Sequence, residues 1–212
     1  MKRLETDVLV IGAGGAGMYA ALEAAAGGAS VILADRSLIG RGGATVMAMM
    51  TVAAAIGAQT PDRWENHLAD TLAAGHGLCD EPLSAILCED GPKRILEMDD
   101  WKVGWAREDG HIKQAHAPGH DRPRCVYVDF LRTGPAVSKT LRHQLQNAAL
   151  VRRIGDLFIV DIAIEDGRIR GIALEADART DLRIGWRWCT GGSRQWVVLG
   201  ACTGARLRES RP

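Results

Sequence analysis

An apolar run that feeds a glycine-rich turn limits the folds open to this chain more than any other stretch of it. Asp7-Val8-Leu9-Val10-Ile11-Gly12-Ala13-Gly14-Gly15-Ala16-Gly17 reads as a buried strand, a G-x-G-x-x-G turn and the start of an alanine-rich helix. Each glycine of the motif has its own physical role. Gly12 permits the tight turn, Gly14 lets the backbone approach a diphosphate, and Gly17 lets helix and strand pack closely. Gly15 and Ala16 fill the two free positions, where the opening helix turns its first N–H groups and positive dipole end toward phosphates. Met18 to Ala26 is rich in strong helix formers, Gly27-Gly28 supplies a stop, and Ser30-Val31-Ile32-Leu33-Ala34 reads as a second buried parallel strand. That strand ends on Asp35, at the spacing of about 20 residues beyond the glycines where an acid holds a ribose hydroxyl. Arg36 leaves a 2′-phosphate, and hence NADP, open as an alternative; a solvated strand-end arginine is the plainer reading. The motif therefore predicts a dinucleotide site on an α/β fold.

Composition narrows the class. With 212 residues and 47% hydrophobic side chains the chain can bury a sizeable core. Acidic and basic residues balance at 26 each, so nothing draws it to nucleic acid or to an anionic membrane. The five cysteines (Cys79, Cys88, Cys125, Cys189 and Cys202) are odd in number and form no C-x-x-C pair, and no secretory leader precedes the first strand, so a reduced, cytoplasmic setting is expected. The thiols read as buried small hydrophobes. The longest apolar stretch, Ala44 to Ala58, is interrupted by Thr45, Thr51 and Gly57 and is shorter than the roughly 20 residues of a membrane span.

Along the chain, Gly40-Arg41-Gly42-Gly43 forms a second glycine-rich turn, and Ala44 to Ala58, apolar nearly all round, is expected to be buried, with Met47, Met49 and Met50 as core filler. Trp64 to Ala74 and Pro82 to Met98 carry apolar residues at helical spacing, the second with Asp80 as N-cap. Asp109 to Pro123, rich in Gly, Pro, His and charge, reads as a long irregular loop. Thr133 to Leu150 returns to helix with Val137, Leu141, Leu145 and Ala148 on one stripe. Phe158, Val160, Ile162 and Ile164 alternate, followed by Asp166-Gly167 and Ile169 to Leu174. This is a hairpin whose two-residue loop sets Ile164 opposite Ile169 and Glu165 opposite Arg168.

Taken together, Asp7 to Gly17, Gly40 to Thr51, Asp109 to His120, Arg132-Thr133-Gly134 and the Phe158 to Gly171 hairpin resemble the flavoprotein subunits of the fumarate reductase and succinate dehydrogenase family, which includes L-aspartate oxidase. The resemblance covers about residues 5 to 175. It implies a Rossmann-like FAD-binding domain over residues 1–178, with a parallel sheet and an antiparallel hairpin or meander, and no capping domain. It also implies FAD with its diphosphate over Gly12 to Gly17, its ribose on Asp35, its flavin end near Gly42, Gly43, Ala44, Thr45 and Thr51, and its adenine beside the backbone of Phe158 and Ile159. Family members that join the flavin covalently use a histidine just before the threonine of this turn; Ala44 takes that place, which implies dissociable FAD. The implied chemistry is hydride transfer between flavin N5 and a dicarboxylate. The implied partners are a small-molecule substrate and an electron donor or acceptor, the latter an iron–sulfur or membrane-anchor subunit in membrane-complex members.

The family's next element, a strand followed by Ala-Thr-Gly-Gly, has two partial counterparts. Trp186-Arg187-Trp188 precedes Cys189-Thr190-Gly191-Gly192 but carries too much charge for a buried strand, whereas Val197-Val198-Leu199 has strand character but a scrambled continuation, Gly200-Ala201-Cys202-Thr203-Gly204. Residues 179–212 are therefore expected to be a divergent tail, either frame-shifted or disordered, and the chain to stop before the family's substrate-binding groups. His116 and His120 are separated by helix-breaking Pro118-Gly119, which argues against a metal site, and leaves His120 either on the surface or lining the flavin cavity. Arg132 and Thr133 read equally as cofactor contacts or as a helix start capped by Thr133.

Overall fold

The computed structural model describes residue 4 and residues 6–165, 168–175 and 196–199. In order these form β1 (Val8–Ile11), α1 (Gly15–Ala26), β2 (Val31–Ala34), α2 (Ala44–Met47), β3 (Val52–Ala53), α3 (Trp64–Ala74), α4 (Glu81–Asp100), β4 (Arg107–Glu108), β5 (His111–Ile112), β6 (Gln114–Ala115) and β7 (Cys125–Val126). Then follow α5 (Thr133–Asn147), β8 (Val151–Ile154), β9 (Phe158–Glu165), β10 (Arg168–Glu175) and β11 (Trp196–Leu199). Two compact units result, Met1–Val46 with Leu141–Pro212, and Met47–Thr140.

The first unit is built on a parallel sheet of order β11-β1-β2-β8. Parallel neighbours need a crossover, and α1 provides the one from β1 to β2. The inner strands β1 and β2 are apolar throughout, as expected of strands covered on both faces, and every residue of β2 is buried, whereas β8 at the sheet's end exposes Arg152 and Arg153. One face packs Leu9, Ile32 and Ala34 with Leu4 and Leu157, and Ile11, Ile154 and Ile159 close its margin. Each fully buried large aliphatic side chain there contributes roughly 1.5–3 kcal/mol. On the other face Val10 meets α1: its Cγ1 lies 3.4 Å from where a Cβ on Gly17 would stand. The strand character of Val197-Val198-Leu199 is realised in β11, which runs beside β1 in the register Val8 to Trp196 through Ile11 to Leu199.

The hairpin forms in the expected register, with Glu165 opposite Arg168 and Ile164 opposite Ile169, and irregularities between Ile169 and Gly171 and between Ala173 and Leu174. Its Asp166-Gly167 loop, the Cys189-Thr190-Gly191-Gly192 stretch and the Gly200 to Gly204 stretch lie outside the described residues. Helix α5 buries Val137, Leu141 and Leu145, and Ala148 falls one residue beyond its end, half-buried.

The second unit holds α3 and α4, an antiparallel sheet of order β3-β7-β6 and the β4–β5 hairpin. Helix α3 spans the expected residues, and α4 starts where the side chain of Asp80 accepts a hydrogen bond from Leu83 N–H at 3.0 Å. Two expectations are corrected here. Ala44 to Ala58 is not a buried apolar segment: only Ala54 and Ala55 are buried, and Met47, Met49 and Met50 are 75%, 54% and 61% exposed. The run alternates a four-residue helix, an irregular stretch and a two-residue strand, so no one element carries its apolar side chains into a core. Nor is Asp109 to Pro123 irregular throughout. Asp109 and Gly110, both at positive φ (50° and 82°), make the two-residue turn of the β4–β5 hairpin, and Gln114–Ala115 pairs with Cys125–Val126.

Candidate functional site

The first glycine turn sits where the C-terminal ends of β1 and β2 meet α1. Gly12 adopts φ 97°, a left-handed conformation open to glycine, and its N–H donates to Ala34 C=O at 2.7 Å. Gly17 has no room for a side chain, because a Cβ there would fall 1.8 Å from the carbonyl oxygen of Gly12. Gly14 is different. It is the N-cap of α1, in extended backbone at φ −70°, and beyond its chain neighbours no heavy atom of the described residues lies within 4 Å of the position its Cβ would occupy. Among the described residues no packing contact demands glycine there.

The helix start is ready for an anion. The first intrahelical bond runs from Met18 N–H to Gly14 C=O at 2.9 Å, so the N–H groups of Gly15, Ala16 and Gly17 precede the helical ladder. Helix α1 has no side-chain cap and no acidic residue in its first turn. The second glycine turn closes on this point: Thr45 Oγ1 accepts from Gly15 N–H at 3.0 Å, and Gly43, at φ 83°, stands with Gly14 Cα 3.6 Å from its Cβ position. Gly42 packs against Ser37 Oγ, 2.8 Å from its Cβ position. Ala44 opens α2 and is exposed.

Asp35 ties the two turns together. Its Oδ2 accepts from Ala13 N–H at 2.5 Å, and its Oδ1 accepts from Ser37 N–H and Oγ at 2.8 and 2.7 Å. A carboxylate offers about four lone-pair sites, so Oδ2 keeps one for a further donor. Arg36 is exposed. Backbone bonds from Leu157 N–H to Asp35 C=O (2.9 Å) and from Asp156 N–H to Ser37 C=O (3.3 Å) bring the start of β9 beside Asp35, with Phe158 46% exposed and Ile159 on the core margin. The first unit thus gathers Gly12, Gly14, Gly15, Ala16, Gly17, Asp35, Arg36, Gly42, Gly43, Ala44, Thr45, Phe158 and Ile159, while Thr51 belongs to the second.

In the second unit Thr133 is buried and acts as a staple: its hydroxyl accepts from Val128 N–H (3.1 Å) and lies 2.7 Å from Met50 C=O and 2.8 Å from Asp129 C=O. Arg132 is exposed and pairs with Asp129 at 2.8 Å. His120 is neither a free surface residue nor paired with His116; its ring lies 5.6 Å from that of His67, and the Nδ1 atoms of both are buried without a hydrogen-bond partner. Among the described residues no three His, Cys, Asp or Glu gather as metal ligands, and no helix is long and apolar enough to cross a membrane.

Arg124 carries no signal along the chain, yet it is fully buried. Its guanidinium bonds Asp62 at 2.6 and 3.1 Å and Asp121 at 2.7 Å, and also pairs with Asp70. Burial alone would lower its pKa, but the hydrogen bonds to Asp62 and Asp70 outweigh it and hold the group above the ordinary arginine range. Burial likewise disfavours the Asp62 carboxylate, and Arg124 reverses this to a net lowering. The cluster joins the start of α3 to β7, and no spacing rule connects residues so far apart.

The chain matches the FAD binding domain family over residues 7–198. It is 32% identical over 178 residues to the succinate dehydrogenase flavoprotein subunit of Rickettsia felis, covering 79% of this chain and 29% of that protein. It is 30% identical over 174 residues to L-aspartate oxidase of Streptomyces coelicolor, covering 81% and 29%. Among solved structures, the Mycobacterium smegmatis Sdh1 complex superposes with a TM-score of 0.83 at 29% identity, over 94% of this chain and 34% of that one. Escherichia coli quinol fumarate reductase superposes with 0.79 at 26%, over 94% and 33%. The chain therefore spans about 29% of the length of these sequence relatives. The glycine turns, the Asp35 anchor and these matches lead to one conclusion: the chain belongs to the FAD binding domain family of fumarate reductase, succinate dehydrogenase and L-aspartate oxidase flavoproteins, and its cofactor is FAD.

Proposed function

We propose that residues 1–178 hold FAD, without a covalent bond, as part of an oxidoreductase of the fumarate reductase and succinate dehydrogenase type acting on a dicarboxylate-like substrate in a cytoplasmic setting. The observation that carries this reading is the opening of α1, where the first N–H groups face a Gly14 whose missing Cβ serves no packing need. When bound, the flavin supplies a two-electron centre that exchanges hydride at N5. The N–H groups of Ala16 and Gly17 hold the diphosphate, the remaining acceptor site of Asp35 Oδ2 takes a ribose hydroxyl, and the Phe158–Ile159 backbone faces the adenine. Ala44 offers no side-chain nitrogen for a covalent link, so the cofactor dissociates.

The family resemblance assigns the groups that orient a dicarboxylate and move its protons to segments outside residues 5–175, so the described residues of this chain are assigned to FAD binding. Electrons then reach it from a separate donor or acceptor, an iron–sulfur or membrane-anchor subunit in a complex of that type. A second reading is a non-catalytic FAD-binding module. Purified protein separates the two. Yellow flavin with fumarate-dependent reoxidation of a reduced dye supports the enzyme, and flavin without reoxidation supports the module.

A further inference from the structure

We propose that a cleft in the first unit, between the turn after β2, the last turns of α5 and the end of β8, binds a phosphate-bearing small molecule. The cleft is open to solvent, measures about 420 Å³ and draws guanidinium groups from three elements: Arg41 from the second glycine turn, Arg142 from α5 and Arg153 from β8. Gln146 adds an amide, and Leu38 and Ile39 form an aliphatic wall. That volume lies in the range of small-ligand pockets, which combine an apolar wall with a few placed polar groups.

The charge balance points to an anion. Arg41 and Arg153 are exposed and Arg142 is half-buried, and no acidic residue lines this cleft among the described residues. Arg41 and Arg153 make no ion pair among the described residues. Burial, and then the neighbouring Arg41, pull the pKa of Arg142 below the usual arginine value, as expected of a cation set among like charges. Arg142 is held in place. Arg142 Nη1 donates to Gly40 C=O at 2.7 Å, and Gly40 leaves room for the arm, since a Cβ there would fall 2.6 Å from Arg142 Cγ. Gly155 sits equally close to Ser37, whose carbonyl oxygen is 2.9 Å from the Cβ position. Converging guanidinium forks match the oxygens of a phosphoryl group better than a single planar carboxylate. None of the lining residues belongs to the Gly12 to Gly17 turn, and Arg142, Gln146, Arg153 and Gly155 come from elements outside both glycine turns.

Thermal unfolding of the FAD-loaded protein in inorganic pyrophosphate, at fixed ionic strength, tests this. A saturable rise in Tm is expected. Arg41→Gln and Arg153→Gln should each weaken the apparent affinity about tenfold, the share of a charge-assisted hydrogen bond, with flavin content unchanged in Arg153→Gln, which lies outside both glycine turns. Absence of a saturable shift, an undiminished shift in the double variant, or an equal response to citrate would overturn the proposal. Flavin content, read in the same samples, reports separately on the dinucleotide site.

Discussion

Alanine at Gly14 and at Gly17 should act in opposite ways, because one position is open toward solvent and the other is closed by the fold. At Gly17 the new Cβ would stand 1.8 Å from Gly12 O, against about 3.3 Å for an ordinary carbon–oxygen contact, so helix and turn must separate by about 1.5 Å. Overpacking of this kind costs typically 1–3 kcal/mol, and a backbone obstacle that cannot rotate away places Gly17→Ala near or beyond the upper end, even after the gain of about 1 kcal/mol from alanine's helix propensity. At Gly14 the backbone is extended and the Cβ site is free, so Gly14→Ala loses only the N-cap preference, up to about 1 kcal/mol. Its effect falls on the ligand: a methyl group between the backbone and a diphosphate should weaken FAD binding by about tenfold to a hundredfold, or about 1.4–2.8 kcal/mol. Urea unfolding of the apoprotein and fluorescence titration with FAD read the two effects separately. A Gly14→Ala protein that binds FAD as the parent does would show that the diphosphate lies elsewhere, and a Gly17→Ala protein of unchanged stability would show that helix and turn can part at no cost.

Thr45→Val removes the hydroxyl that accepts from Gly15 N–H and should cost about 1 kcal/mol in chemical denaturation; no measurable loss would mean that the bond adds nothing in solution. Arg124→Met leaves the Asp62 carboxylate, 1% exposed, with only the more distant Arg122 (3.7 Å) as a cation, and should destabilise the second unit by about 3 kcal/mol, whereas a change below about 1 kcal/mol would contradict the buried network. His67 is held neutral, its pKa lowered first by burial and then by Arg124 and His120. Its folded value lies below the unfolded value of about 6.5, so the stability it confers is present above that pH and is lost as pH falls through the folded value. Unfolding free energies should therefore fall below about pH 6.5, and His67→Gln should flatten the slope; an equal slope in the variant would assign the loss to other groups.

The parts of the fold that were legible in the sequence are those in which one local rule decides the outcome. Periodicity and a stop signal located α1 and α3, Asp80 announced the start of α4, and Asp166-Gly167 determined which residues face one another across β9 and β10. The same Asp-Gly signal stood at Asp109-Gly110 but was obscured by surrounding histidines and prolines, because the strands it joins are only two residues each. Ala44 to Ala58 misled for a related reason: apolar composition says that a segment can be buried, while its break into α2, an irregular stretch and β3 decides which side chains are. At the site, the glycines and Asp35 could be read because each answers to a backbone demand. The bond from Gly15 to Thr45, the tether of Arg142 to Gly40 and the carboxylates around Arg124 depend on which loops tertiary packing brings together, and no spacing along the chain encodes that.

If the opening of α1, with Gly43, Thr45 and Asp35 around it, grips FAD, the folded protein must retain flavin against dilution. Equilibrium dialysis of the purified, folded chain against FAD, followed by the visible absorption of the flavin left behind, measures that grip itself. Saturable retention of one flavin per chain is expected, released on denaturation and weakened in Gly14→Ala. Folded protein that stays colourless after dialysis against FAD would mean that this turn holds no flavin.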